Sequence, residues 1–269
     1  MKMLKYPILF VHGMGFRDSR VINYWGRIPK IFTDDGNQVF YVGQDSNGTI
    51  EDNASVLKSR IEEIIRETGA EKLNVIAHSK GGMDMRYAIC QLGMNKYIAS
   101  LTTINTPHNG SKSIDKVLTL PTPLVKFAGS CSDFWLRLQG DKNPNAYKVF
   151  QSFSTGYTRR FNEQNPDYPD IYYQSYACVM RNSASDIVLC ITHAIVNSIE
   201  GENDGLLTPE GVKHGDFKGI VRSNSVRGIS HCDEVDMRRH RFTRKQGNGV
   251  SDILDMYREI LKTLKEKGV

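Results

Sequence analysis

Apolar residues along the chain fall into two alternating patterns. Short continuous runs, "PILFVHG" at 7–13, "QVFYVG" at 38–43, "KLNVIAH" at 72–78 and "IASLTTIN" at 98–105, read as strands buried on both faces. Between them, "NASVLKSRIEEIIRETG" spaces Val56, Leu57, Ile61, Ile64 and Ile65 as one helix face, with Gly69 as its C-cap. "GGMDMRYAICQLG" predicts a second helix ending near Gly93. Strand, helix, strand, helix implies a mostly parallel sheet with helices on both faces. Farther along, "IYYQSYACVM" at 171–180 and "KGIVRSNS" at 218–225 are strand-like. The closing "SDILDMYREILKTLKEKG" puts Ile253, Leu254, Tyr257, Ile260, Leu261 and Leu264 on one stripe behind Ser251, read as the N-cap.

The segment 112–160 breaks this alternation. It holds Pro121, Pro123 and Pro144 and an apolar cluster of Leu124, Phe127, Phe134, Trp135, Leu136 and Leu138. A core helix is one reading; an inserted cap over a site fits the break better. No internal repeat or low-complexity linker divides the chain. The expectation is one α/β domain over 1–269, with a cap or lid at about 112–160.

Composition narrows the classes of partner. With 39% hydrophobic and 24% charged residues, this is the balance of an ordinary globular protein. A net charge of +5 over 269 residues is too small to argue for nucleic acid, and no zinc-finger or RNA-binding signature accompanies it. The basic stretch "MRRHRFTRKQG" at 237–247 reads as solvated surface. No apolar run approaches the roughly 18 residues of a membrane span, so no stable membrane insertion is expected. The opening "MKMLKYPILFVHG" has basic residues before "ILFV", far shorter than an h-region of about 7–15 residues. A cytoplasmic protein is expected, with secretion of a form whose leader was removed as the alternative. The five cysteines, without C-x-x-C spacing, point to a reduced compartment and away from a zinc site or disulfide framework.

Candidate chemistry centres on "LNVIAHSKGG" at 73–82. A serine hydroxyl needs a base to take its proton and donors to hold the oxyanion that forms. A tight strand-to-helix turn lifts the serine above the sheet and aims the helix N-terminus at the developing charge. "AHSKG" supplies Ala77, Ser79 and Gly81 for such a turn, with alanine replacing the usual first glycine. A relaxed [GA]-x-S-x-G arises by chance in roughly one chain in five of this length at average usage, so the strand–helix setting carries the weight. "FVHGMGF" ends the first strand where the second oxyanion donor belongs, which pairs the N–H groups of Met14 and Lys80. His12 reads as a residue pinning its own loop, and His108 in "NTPHNGS" likewise. For an α/β hydrolase the order is Ser, Asp, His. Asp204 in "EGENDGLLTP" and His231 in "GISHCDEVD" fit that order, although Asp204 also suits a plain Asx-turn. His193 sits in an apolar pattern, and His214 and His240 in charged segments read as exposed.

Taken together, "YPILFVHGMGF", "NYWGRIPKIFTDDGNQVFYV", "RIEEII", "LNVIAHSKGG", "INTPHNGS", "RRFNEQNP", "ENDGLL" and "SHCDEVD" resemble the bacterial triacylglycerol lipases, the secreted, calcium-binding type within the α/β-hydrolase superfamily. The resemblance implies Ser79 as nucleophile, His231 as base, Asp204 as its orienting acid, and Met14 and Lys80 at the oxyanion-hole positions. It implies no organic cofactor, but a structural Ca²⁺ held by Asp186 and Asp233 with the backbone carbonyls of about Met237 and Arg241. Carboxylate and carbonyl oxygens suit such a hard cation, although two solvated aspartates would read the same way. The implied function is a serine carboxylic-ester hydrolase, a lipase or esterase acting on a lipid or other ester through an acyl-enzyme. An acyltransferase or amidase with the same triad, and a non-catalytic binder of apolar ligands, are the alternatives. Ala77, the absence of a cysteine in "LLTPEG" and a shorter cap depart from the secreted relatives. They bear on export and on preference for long-chain fats more than on ester hydrolysis.

Overall fold

The structure, a computed structural model, describes residues 3–15, 24–239 and 249–269. Strands β1 (Ile8–Val11), β2 (Val39–Tyr41), β3 (Leu73–His78), β4 (Ile98–Ile104), β5 (Tyr172–Cys178) and β6 (Asp216–Val221) form one sheet in the order β2-β1-β3-β4-β5-β6. Every neighbouring pair is parallel. The alternation of strands and helices led to that expectation, and the strands start and stop within a few residues of the apolar runs.

Helices α1 (Ile28–Asp34), α2 (Ile50–Thr68) and α3 (Lys80–Gln91) separate the first four strands. Next come α4 (Lys112–Val117), α5 (Thr122–Leu138), α6 (Ala146–Ser152) and α7 (Thr155–Gln164), all between β4 and β5. Helices α8 (Cys190–Glu200) and α9 (Pro209–Val212) precede β6, and α10 (Leu254–Lys267) closes the chain. Helix α2 starts at Thr49, whose side chain accepts from the Asp52 N–H, and stops at Gly69 in the left-handed conformation, φ 67°.

Side-chain alternation along the strands divides the core between the two faces of the sheet. Ile8 and Phe10 pack with Phe32 of α1 and with Tyr257, Ile260 and Leu264 of α10. Leu9 and Val11 pack with Leu57, Ile61 and Ile64 of α2 and with Met85 and Ile89 of α3. Full burial of each such side chain is worth roughly 1.5–3 kcal/mol. The α10 stripe read from the sequence is therefore its core face.

Two expectations need correction, and one alternative falls away. Ser251 does not cap α10: the residue before that helix is Ile253, while the Ser251 hydroxyl donates to Asp255 Oδ2 at 3.1 Å. Asp252 does the neighbouring work, with Oδ1 accepting the Leu254 N–H at 3.1 Å. His214 is not an exposed histidine, since its ring stacks on His108 with centroids 4.3 Å apart and bonds Asp167 at 2.9 Å. The apolar cluster of 112–160 is not a core helix, because of α5 only Leu136 is buried. His240 lies outside the described residues.

Candidate active site

Ser79 stands at the joint between β3 and α3 with φ 52° and ψ −131°, a conformation that L-residues rarely adopt. The turn closes because its neighbours lack side chains. A Cβ on Gly13 would sit 2.7 Å from Ser79 Cβ, and one on Gly81 would sit 2.5 Å from the His12 carbonyl oxygen. Ala77 faces no such demand. It is a regular β3 residue beside Val11 and Thr103, and its methyl packs in the core. The backbone of Ser79 is fixed by its N–H to Ile104 O at 2.9 Å and by Thr106 Oγ1, which donates to Ser79 O at 2.7 Å.

Lys80 opens α3, so its N–H is one of the donors a helix leaves unused. Its side chain has a separate role. Nζ lies 2.7 Å from both oxygens of Asp84, one helical turn on, and Asp84 also accepts from Asn53 at 2.9 Å. Both members of the pair are about 1% exposed. Burial pushes Asp84 up to about 6 against the opposing pull of Lys80. This pair ties the first turn of α3 to α2, directly behind Ser79.

The loop after β6 brings His231 to Asp204. Nδ1 of His231 is 2.6 Å from Asp204 Oδ2, and the His231 N–H donates to Asp204 O at 2.9 Å. Asp204 is fully buried; its Oδ1 accepts the N–H groups of Leu206 and Leu207 at 2.8 and 2.7 Å. The Asx-turn and the histidine contact are thus both present, one on each oxygen. Asn105, at φ 39°, donates to Asp204 Oδ2 as well. Burial raises the Asp204 carboxyl, yet His231 and the two N–H donors outweigh it and hold it below its ordinary range. The His231 ring packs on that of His78, centroids 4.4 Å apart, and His78 is the residue before Ser79. The structure thus brings Asp204 and His231 together beside His78, the residue before Ser79, at the C-terminal end of β3.

Beneath them lies a layer of polar groups that sequence reasoning missed. The Gly13 N–H donates to Tyr24 Oη at 3.0 Å, which is 2.6 Å from His78 Nδ1. His78 Nε2 reaches Glu234 Oε2 at 2.8 Å, and that oxygen is 3.6 Å from His231 Nδ1. Burial, with His231 and His12 nearby, holds His78 well below the ordinary imidazole range. Its neutral form can accept a hydrogen bond from the Tyr24 hydroxyl at Nδ1 while donating one from Nε2 to Glu234. Burial and the Asp204 charge push Glu234 well above its ordinary range, favouring the protonated carboxyl. Spacing gave one available signal, Glu234 three residues past His231; Tyr24 gave none.

His12 lies between the carbonyl oxygens of Gly13, at 2.8 Å, and Gln44, at 3.1 Å, and so pins its loop. His108 is buried against Thr103 of β4 and Arg86 of α3, and so ties its loop to both. His193 contacts Ser183 at 2.9 Å. None of these joins Ser79.

His78, His231 and Glu234 place ligand atoms within 4.8 Å of one another and form, among the described residues, one group that could take a metal ion. His78 is already bonded to Tyr24 and Glu234, and His231 to Asp204, while Glu234 Oε1 is buried without a hydrogen-bond partner among the described residues. Asp186 and Asp233 do approach the same region, but Arg238 stands between them. Its guanidinium donates to Asp186 Oδ2 and lies 3.7 Å from Asp233 Oδ1. A calcium ion needs six to eight oxygens about 2.3–2.6 Å away, and this pair is already matched by a fixed cation. The donor set does not fit calcium as it stands. Arg241 lies outside the described residues, and the Met237 N–H bonds Cys232 O at 3.3 Å. Among the described residues no helix is long and apolar enough to cross a membrane.

Known proteins give the site its context. The palmitoyl protein thioesterase family profile matches residues 7–165, more than half of the chain, from β1 through Ser79 to the end of α7. Triacylglycerol lipase 2 of Saccharomyces cerevisiae is 28% identical over 268 residues, taking in 92% of this chain and 74% of that protein. The triacylglycerol lipase of Pseudomonas fragi is 25% identical over 298 residues, covering 98% of each. Among solved structures, mature Bacillus licheniformis lipase BlEst2 superposes with TM-score 0.66 at 22% identity, over 88% of this chain and 89% of that one. The metagenomic carboxyl esterase MGS0156 superposes with TM-score 0.73 at 15% identity, over 99% and 77%. At these identities the structural likeness speaks for the fold. The chain has the α/β-hydrolase fold and belongs to the palmitoyl protein thioesterase family.

Proposed function

We propose that Ser79, His231 and Asp204 carry the chemistry of this carboxylic ester hydrolase, and that its substrates are acyl esters of lipids. The observation that carries the reading is the 2.6 Å bond from His231 Nδ1 to a buried, ionised Asp204, with the imidazole lying on the residue before Ser79. That bond fixes the proton on Nδ1 and leaves Nε2 to take the proton of Ser79. Ser79 Oγ then attacks the acyl carbon, and the N–H groups of Met14 and Lys80 hold the oxyanion. The imidazolium formed on His231 is stabilised by Asp204 and protonates the departing alcohol. A water, deprotonated at the same Nε2, releases the acid from Ser79. No step uses a metal ion.

Helices α4 to α6 are the cap in this reading. An apolar cavity of about 280 Å³ opens among them, lined by Val117, Leu124, Val125, Ala128, Tyr147 and Phe150, and it suits part of an acyl chain. Hydrolysis of a p-nitrophenyl ester chain-length series, beside a palmitoyl thioester, tests the proposal. Wild type should turn over the oxoesters, and Ser79→Ala should lose at least about 10⁴-fold in kcat. Turnover retained in the alanine variant removes Ser79 from the mechanism. Faster cleavage of the thioester than of its oxoester would move the substrate class toward acylated thiols.

A further inference from the structure

Two arginines converge on the segment that backs the catalytic-histidine loop. Arg238 donates to Asp186 Oδ2 and faces Asp233 Oδ1 at 3.7 Å, while Arg227 Nε donates to the Ser185 carbonyl at 3.0 Å. The other oxygens of the two aspartates are bonded within their own segments. Asp186 Oδ1 accepts the Val188 N–H at 3.0 Å, and Asp233 Oδ2 accepts the Ser230 N–H at 3.3 Å and the Ser230 hydroxyl at 3.0 Å. Asp186 therefore belongs to the 182–190 segment, Asp233 to the loop that carries His231, and Arg238 joins the two.

This is not an ordinary surface ion pair. The Asp186 side chain is 0% exposed and that of Asp233 9%, while Arg238 is 30% exposed. Two carboxylates drawn out of water toward one point repel unless a cation stands between them. A divalent ion meets that need with bonds from all directions. A guanidinium meets it with a planar fork of donors, stays charged at every pH the fold survives, and is never lost to dilution. It also repels any divalent ion approaching the same oxygens.

We propose that Arg238 is a resident cation occupying the place of a divalent ion between Asp186 and Asp233. It thereby positions His231 without metal, and its removal converts the two carboxylates into a metal-responsive site. Arg238 touches neither substrate nor the reacting atoms; it is a positioning residue, acting through Asp233 and the loop. Its effect on rate rests on His231 being the base, as proposed above. Its effect on the loop does not.

The test is run twice, by turnover of a p-nitrophenyl ester and by melting in a Ser79→Ala background, each in EDTA and in calcium chloride. Melting is independent of which residue is the nucleophile, so a failure of the proposed mechanism does not disguise a failure of this one. Wild type should show the same Tm and kcat in both media. Arg238→Ala in EDTA should melt at least roughly 5 °C lower and lose about tenfold or more in kcat with little change in KM, because a shifted base costs rate rather than binding. Calcium chloride should restore most of both losses, and Asp233→Asn added to Arg238→Ala should abolish the restoration. Arg238→Lys should keep more of the wild-type Tm than Arg238→Ala, calcium or not. If Arg238→Ala does not fold in EDTA, its refolding yield with and without calcium chloride gives the same comparison. A wild type that loses Tm or kcat in EDTA overturns the proposal. So does an Arg238→Ala protein that behaves as wild type, or one whose losses calcium leaves unrestored.

Discussion

Below His231, polar side chains are packed where a core usually places aliphatic ones. His78, Asp204 and Glu234 are each 1% exposed or less. On α5 the reverse holds: Leu124, Phe127, Phe134, Trp135 and Leu138 are 56–69% exposed. Neither distribution follows from burial energetics alone. A buried polar group is tolerated when it is bonded, and removing one partner exposes the other to the full desolvation cost. An exposed aromatic contributes little to stability, and a cluster of them marks a surface that meets something apolar. The floor should therefore be intolerant in both rate and stability. The helix should be tolerant in stability and sensitive only in its dealings with substrate.

The largest effect tests the floor at its centre. Asp204→Asn keeps an oxygen for the Leu206 and Leu207 N–H groups but removes the charge opposite His231 Nδ1. We expect kcat to fall about 10⁴-fold, through the wrong imidazole tautomer, with a cooperative fold retained. A fall of under tenfold would mean that Glu234, 3.6 Å from the same nitrogen, carries the role instead. Next in size is Tyr24→Phe. It deletes the hydroxyl that joins Gly13 to His78, leaving a buried N–H and an imidazole nitrogen without that partner. The expected loss is about 1–3 kcal/mol in urea denaturation, with a fall in kcat through the displaced oxyanion loop. No change in either would show that the layer merely fills space.

How much of this contrast could be read from the chain depends on how far apart its parts lie. The strands, α2, the C-terminal stripe and the Ser79 turn are local patterns and were legible. So was the order of Ser79, Asp204 and His231, which is the one expected for an α/β hydrolase. The Lys80–Asp84 pair is a local pattern too, opposite charges four apart on one helix. What could not be read was set by tertiary approach. Asn105 meets Asp204 across 99 positions, and Arg238 meets Asp186 across 52. His214 reads as exposed because its neighbours are charged; only the fold reveals the His108 ring beneath it.

Protonation probes the floor on a smaller scale. Burial holds both His78 and His108 well below the ordinary imidazole range, so the folded protein keeps them neutral while the unfolded chain protonates near pH 6.5. The unfolded state then binds more protons, so their contribution is complete above about pH 6.5 and is lost as pH falls through that value. Asp84 acts oppositely between its ordinary 3.8 and about 6, where the folded form holds the extra proton. Removing one neutral histidine by His108→Gln should flatten the acid limb by roughly 1.4 kcal/mol per pH unit at about pH 5–6. Chemical denaturation at pH 5, 6 and 7 measures the slope, and an unchanged slope would mean that His108 titrates in the folded state.

The smallest effect on stability belongs to α5. Phe127 and Trp135 are 69% and 63% exposed, so Phe127→Ser with Trp135→Ser should shift unfolding free energy by less than about 0.5 kcal/mol. The floor variants above cannot do this, because every group they alter is buried. Rate should divide differently as well. A short soluble ester needs only the triad and should be turned over as by wild type, whereas an aggregated long-chain ester has to be met by the apolar face first and should be turned over several-fold more slowly. The informative quantity is the ratio of the two rates. A ratio unchanged from wild type would remove α5 from substrate capture, and a stability loss of several kcal/mol would mean that this face packs inside the protein. Either result would dissolve the contrast, since it rests on α5 contributing to substrate capture but not to the core.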